Sequence, residues 1–412
     1  MRYVVCDRVG LSRLPEGPLA SYIVSFANSM ESKGYSVQSL RHQVRIVAGF
    51  SQWLARSGVE LHRICSEHPS QYLRYRTRRV RAGRGDSAAL RHFLEFLHQR
   101  GVVRAQRTAT RRGSAAERYA QAYGQYLREV RGLAESTIAY YSTFATDFLQ
   151  DRFGDGRVNL SRLRASDVIR FVQRKAQRLH LRRAKLLTTA LRSFLRYARY
   201  RGDMVRDLAD FVPVVANWSM PSIPRAIAPD QIRQLLSSVD RRTGMGLRDY
   251  AILLLLARLG LRAGEVVSLE LADIDWNSAR LTVRGKCGQR NELPLHTDVG
   301  KAIAAYLRHG RPHSSCRRVF LRTKAPITGF RGAGGVGSIV RHALRRAGID
   351  APTTGAHQFR HGLAADMLRR GASLSEIGDI LGHRDPQSTM IYTKIDIKAL
   401  RSLAVPWPGG VL

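Results

Sequence analysis

From Leu19 to about residue 212, apolar side chains recur at steps of three and four, the mark of helices that each bury one face. The stretch SYIVSFANSMESKGYSVQSLRHQVRIVAGFSQWLARSG (21–58) carries this period and breaks at Lys33 and Gly34, which predicts two helices joined by a turn. A third helix is expected around HPSQYLRYRTRRV (68–80) and a fourth at ALRHFLEFLHQRG (89–101). The same order then returns. RYAQAYGQYLREVRGLAESTIAYYSTFATDFLQ (118–150) matches the first pair, with Tyr119 in the place of Tyr22 and Ser136 in that of Ser39. ALRSFLRYARYRG (190–202) agrees with residues 89–101 at seven of thirteen positions. A period of about 100 residues is too long for a solenoid unit and indicates two tandem copies of one small helical domain.

The period stops at RAQRTATRRGSAAE (104–117), polar and basic, and again where Pro213, Pro221, Pro224 and Pro229 forbid a continuous helix. Beyond Pro229 the pattern changes. QIRQLLSSV reads as a short helix, and GLRDYAILLLLARLG as one apolar nearly all round, central to a core and closed by Gly260. RLTVRG and NELPL flank KCGQR as a β-hairpin. A helix over 356–369 ends at Gly371, and SLSEIGDIL forms the next. The fold expected is mainly α with a small antiparallel β-sheet. Its parts are an irregular N-terminus (1–18), the two helical domains (19–103 and 118–212) with their linker (104–117), a proline-rich connector (213–226), a C-terminal domain (227–395) and a tail (396–412). IDIKALRSLAV would be a short helix whose apolar side suits either its own domain or a neighbouring subunit.

Charge adds a partner. Lys plus Arg number 68 against 32 Asp plus Glu, a net +36, which calls for a polyanion and puts nucleic acid first. Only eight of the 68 are lysines, which reflects codon usage and not the size of the excess. Thirteen Lys or Arg lie between Arg162 and Arg201 against a single acid, Asp167, whereas solvated faces usually mix signs. Arg174, Lys175, Arg178, Arg182, Arg183 and Lys185 are the candidate phosphate contacts. The four cysteines are scattered, which suits a reducing cytoplasm and neither a zinc knuckle nor a disulfide framework. The longest apolar run, AILLLLA, is far short of the roughly 20 residues needed to span a bilayer, and the N-terminus has no signal-peptide core. A soluble, intracellular protein with no membrane partner is expected.

The candidate chemistry lies in HQFRH and LGHRDPQSTMIY, with His357, Arg360, His383 and Tyr392, preceded by Arg262 in LGLRAGEVVSL and Lys286 in the hairpin turn. His357 and Arg360 share one helix face. Each alone is ordinary: a capping arginine, a surface lysine, helix-end histidines, a packing tyrosine. Together they supply a nucleophile, two guanidiniums for added charge on a phosphate, and proton donors and acceptors. His361 reads as structural. A zinc hydrolase using His357, His361 and His383 would need Glu after the first histidine, and Gln358 stands there.

ARLGLRAGEVVSLELADIDW, HQFRH and LGHRDPQSTMIYTK, in that order with a hairpin lysine after the first, resemble the motif boxes of the tyrosine recombinases, the phage integrase family. The resemblance covers roughly residues 225–400. It implies two SAM-like helical copies before a recombinase catalytic domain. The catalytic residues it implies are Arg262, Lys286, His357, Arg360, His383 and Tyr392, with Glu265 buttressing Arg262. His357 would accept the nucleophile's proton and Lys286 would supply one to the leaving oxygen. Cys287 and Gln289 depart from the family's usual glycine and basic residue after that lysine. The family's activity would make this a site-specific recombinase of a bacterial mobile element, acting through a 3′-phosphotyrosine with no metal or other cofactor. Its partner would be duplex DNA bearing specific sites, held between the second helical copy and the catalytic domain. It would act at the nucleoid as a homotetramer or in mixed assembly with related recombinases. A catalytically silent accessory recombinase and a type IB topoisomerase are the alternatives.

Overall fold

The computed structural model describes residues 16–65, 67–81, 83, 85–103, 114–215, 226–285, 290–351, 353–383, 385 and 387–395. The expected irregular N-terminus lies almost wholly outside these residues, and so do most of both connectors, Lys286 and the C-terminal tail.

The first helical copy comprises α1 (Ala20–Ser32), α2 (Val37–Arg56), α3 (His68–Thr77) and α4 (Asp86–Gln99). The second comprises α5 (Ala115–Glu129), α6 (Glu135–Phe153), α7 (Ala165–Ala176) and α8 (Leu181–Tyr200). A three-residue 3₁₀ turn precedes the third helix of each copy, at Leu61–Arg63 and Leu160–Arg162. Local chemistry sets the helix starts. The Ser36 side chain accepts from the Ser39 backbone N–H, and Ser114 and Glu117 form a reciprocal capping box. The cores repeat as well. Phe26 meets Phe93 edge-on at 5.0 Å in the first copy, and Tyr123 meets Phe194 in the same way at 5.4 Å in the second.

The chain forms two compact units. Residues 62–68 and 101–220 make one, and 1–61, 69–100 and 221–412 the other, so most of the first copy belongs with the C-terminal region. Within that unit the Ile327 backbone N–H donates to the Lys33 carbonyl at 2.8 Å, at the turn between α1 and α2.

The C-terminal region begins with α9 (Pro229–Ser237), proline in its first turn, and α10 (Gly244–Arg258), whose residues Ala251 to Ala257 are all buried. After α11 (Ala263–Ser268) come β1 (Ile274–Asp275), β2 (Arg280–Arg284) and β3 (Arg290–Pro294), an antiparallel sheet in that order, with Leu281 paired to Ile274 and Leu293. Helix α12 (Thr297–His309) packs along α10; α13 (Gly334–Arg346), α14 (His357–Arg369), α15 (Leu374–Leu381), α16 (Gln387–Met390) and a 3₁₀ turn (Ile391–Ile395) follow. The architecture is the mainly helical one expected, with one small antiparallel sheet. Among the described residues no helix is long and apolar enough to cross a membrane.

Candidate active site

The site is built around a helix end. Beyond α10, Gly260 takes a left-handed conformation at φ +59°, and a Cβ there would lie 2.9 Å from Leu381 and 3.0 Å from Leu363. This tight passage delivers Arg262 to the N-cap of α11. Its backbone N–H and its Nη1 each donate to Glu265, both at 2.7 Å. Glu265 is buried while the Arg262 side chain is 37% exposed, so the guanidinium is oriented from behind and open in front. Arg262 is therefore a helix cap and a held cation at once.

Arg360 lies deeper, 5% exposed on α14. Its Nη1 donates to the Gly260 carbonyl at 2.8 Å and its Nη2 to the Leu381 carbonyl, at the C-terminal end of α15. The Leu381 carbonyl is an orphaned acceptor of a helix end, where partial negative charge gathers, and the Gly260 carbonyl lies just past the end of α10. Burial, with Arg262 nearby, brings its guanidinium down to about 10, still charged at neutral pH.

Gly382, left-handed at φ +61°, ends α15 and turns the chain toward His383. A Cβ on Gly382 would fall 2.5 Å from Asn291 Nδ2, so β3 runs close behind this turn. His383 Nδ1 lies 2.7 Å from Thr389 Oγ1, and its ring stacks on Tyr392 at 6.5 Å. Burial and the two arginines lower His383 to about 4, so it is neutral at physiological pH. In the tautomer in which Nδ1 accepts from the Thr389 hydroxyl, the ring proton is on Nε2, where it can donate to a phosphate oxygen.

Tyr392 is 1% exposed, in a small cluster with Ala364, Ile377 and Leu381. Burial raises its phenol above the ordinary value, while Arg360 and Arg262 pull the other way. Its hydroxyl lies 3.1 Å from His361 Nδ1. His361, read from sequence as structural, is thus the imidazole whose nitrogen meets the Tyr392 hydroxyl. His357 is on the exposed side of α14, 6.4 Å from the His361 ring. Desolvation, Arg360 and Arg262 lower His357, despite its open face. The two histidines are one turn apart, and the i, i+4 spacing was the available signal.

Lys286 lies outside the described residues. Arg284, two positions before it, is tied to Glu270 at 2.9 Å and Asp273 at 3.0 Å, which fixes the end of β2. Among the described residues no group of three His, Cys, Asp or Glu is placed to hold a metal ion.

On the second copy the six candidate phosphate contacts divide. Arg174 pairs with Asp151 at 2.5 Å and Lys175 with Asp147 at 2.9 Å. Arg178, Arg182, Arg183 and Lys185 are exposed, and among the described residues their side chains have no partner.

Residues 225–398 match the model of the phage integrase family. Across 409 residues, 99% of both chains, the protein is 56% identical to the integrase/recombinase-type protein y4rA of Sinorhizobium fredii strain NBRC 101917 / NGR234. The chain belongs to the phage integrase family. The chain also shares its fold with the XerH site-specific recombinase bound to palindromic difH substrate (TM-score 0.55, 16% identity, 70% of this chain and 84% of that one). The Tn1549 transposon integrase in complex with a circular intermediate DNA is similar at TM-score 0.52 and 17% identity, over 69% of this chain and 99% of that one. The family is that of the tyrosine recombinases, which carry out site-specific recombination.

Proposed function

We propose that this recombinase cleaves and rejoins DNA strands at specific sites, with Tyr392 as nucleophile, to move a mobile element. The observation that carries the reading is the setting of the Tyr392 phenol, among His361 and His383 and in the field of Arg262 and Arg360. Attack of the phenolic oxygen on phosphorus forms the Oη–P bond, breaks the bond to the 5′ oxygen and leaves a 3′-phosphotyrosine. Arg262 and Arg360 stabilise charge added to the non-bridging oxygens, and His383 donates a hydrogen bond to one of them. The 5′ oxygen takes a proton, a role assigned to Lys286. Because a phenol leaves more readily than an alcohol, a 5′ hydroxyl from another strand can reverse the step and complete the exchange.

The 56% identity to y4rA over nearly the whole chain supports an integrase or recombinase role. The helical copies are assigned to residues 19–103 and 118–212 and the catalytic domain to 227–395, with the cations of α7 and α8 on DNA phosphates and four protomers on two duplexes. The test is to sequence the element's junctions in cells carrying wild-type protein or Tyr392→Phe, and to trap adducts on a nicked suicide substrate. Junctions and a covalent adduct are expected from wild type alone. Junctions formed by Tyr392→Phe would sink the assignment, and no adduct on authentic junction DNA would identify an accessory factor.

A further inference from the structure

We infer that His361, and not His357, is the group that takes the phenolic proton from Tyr392 when the strand is cut. The inference rests on the reading of Tyr392 as nucleophile. Its basis is geometric. Both histidines are on α14, but His361 is one turn further in, and its Nδ1 is 3.1 Å from the Tyr392 oxygen with the rings edge to face at 5.8 Å. Among the described residues no hydrogen bond joins His357 or His383 to that oxygen, and His383 Nδ1 is engaged by Thr389.

The groups facing His361 are His357 and Arg360 on its own helix, Tyr392 on the 3₁₀ turn and His383 beyond α15. Desolvation, then His357 and Arg360, lower the His361 imidazole, while burial raises the phenol. In the DNA-free protein the proton therefore stays on oxygen and the nucleophile is neutral; with the ring proton of His361 on Nε2, the hydroxyl donates to Nδ1. Only 1% of Tyr392 is exposed, so engagement with DNA has to uncover the phenol. His361 adjoins Arg360 in sequence, on the same helix. As Oη bonds to phosphorus the proton passes to Nδ1, giving an imidazolium that returns it when the phosphotyrosine is resolved.

The experiment is the single-turnover cleavage rate of the full-length protein on a nicked suicide substrate, followed from pH 5.5 to about 9.5 at saturating DNA. An acceptor lowered below about 6.5, the ordinary histidine value, makes the wild-type rate level between about pH 7 and 9. His361→Asn keeps an acceptor oxygen near Nδ1 but cannot take a proton. Its rate at pH 7 is expected to fall about 10²–10⁴-fold and to climb about tenfold per pH unit as the phenol ionises by itself. A wild-type rate climbing through pH 7 to 9 would overturn the inference even if His361→Asn failed to fold. So would a DNA-binding His361→Asn with the wild-type rate and profile, or a lost plateau confined to His357→Asn. Failure of the nucleophile reading appears separately, as adduct formation by Tyr392→Phe.

Discussion

The candidate active site and the basic face of the second helical copy both present cations, under opposite conditions. At the site each arginine is bonded to protein before any DNA arrives: Arg262 to Glu265, and Arg360 to the carbonyls of Gly260 and Leu381. On α8 and the turn before it, Arg178, Arg182, Arg183 and Lys185 project into solvent without described partners. A held guanidinium has already lost its conformational freedom and needs little reorganisation as charge develops on a phosphate, which suits chemistry. A free one adapts to whichever phosphate comes within reach and releases counterions on contact, which suits binding. Arg174 and Lys175 stand between, in exposed ion pairs of small worth that a phosphate can replace.

The largest effect should come from Arg360→Ala. It strips two buried carbonyls of their donor, and we expect a loss of about 3–5 kcal/mol in urea unfolding together with loss of strand cleavage. Arg262→Ala should separate the two properties. Cleavage should fall about 10²–10³-fold, as for removal of one preorganised donor, with a stability loss smaller than that of Arg360→Ala, because the Arg262 backbone N–H still holds Glu265 Oε2 and only Oε1 loses its donor. If both variants unfolded equally early, the distinction between a structural and an open arginine would collapse.

Acid should disturb the site and spare the basic face, since arginine does not titrate in the range. His357, His361 and His383 are all lowered in the folded chain, His383 to about 4. Between about pH 6.5 and 4 the unfolded state binds more protons than the folded state, so stability falls as pH drops through that window and is level above it. Unfolding midpoints measured from pH 8 to 4 should show this, with a shallower slope for His383→Asn.

The smallest effect belongs to the free cations. Arg182→Ala or Arg183→Ala should leave stability within about 0.5 kcal/mol and cleavage at saturating DNA unchanged. Each should flatten the plot of log binding constant against log salt by about 0.9, read from binding titrations at several salt concentrations. A stability loss or an unchanged salt slope would place these residues in the protein's own architecture instead.

Much of the fold was legible because it rests on local rules. Gly260 follows the apolar helix in a left-handed conformation, and Arg280–Arg284 pairs with Arg290–Pro294 as the flanks of KCGQR suggested. Phe93 and Phe194, which match in the sequence alignment of the expected copies, are both buried in helices. The site was legible as a set of residues, but not as a set of contacts.

By itself the sequence determined the order of helices, the excess of positive charge and the elements that carry Arg262, His357, Arg360, His383 and Tyr392. Only the tertiary structure decided which imidazole meets the phenol, and which basic side chains are already paired. Helical spacing places His357 and His361 on one face without saying which turn points inward, because that depends on α14 packing beside α10 and α15 and on where the turn after α16 lays Tyr392. Asp147 and Asp151 likewise reach Lys175 and Arg174 from another helix, over distances along the chain that no local pattern spans.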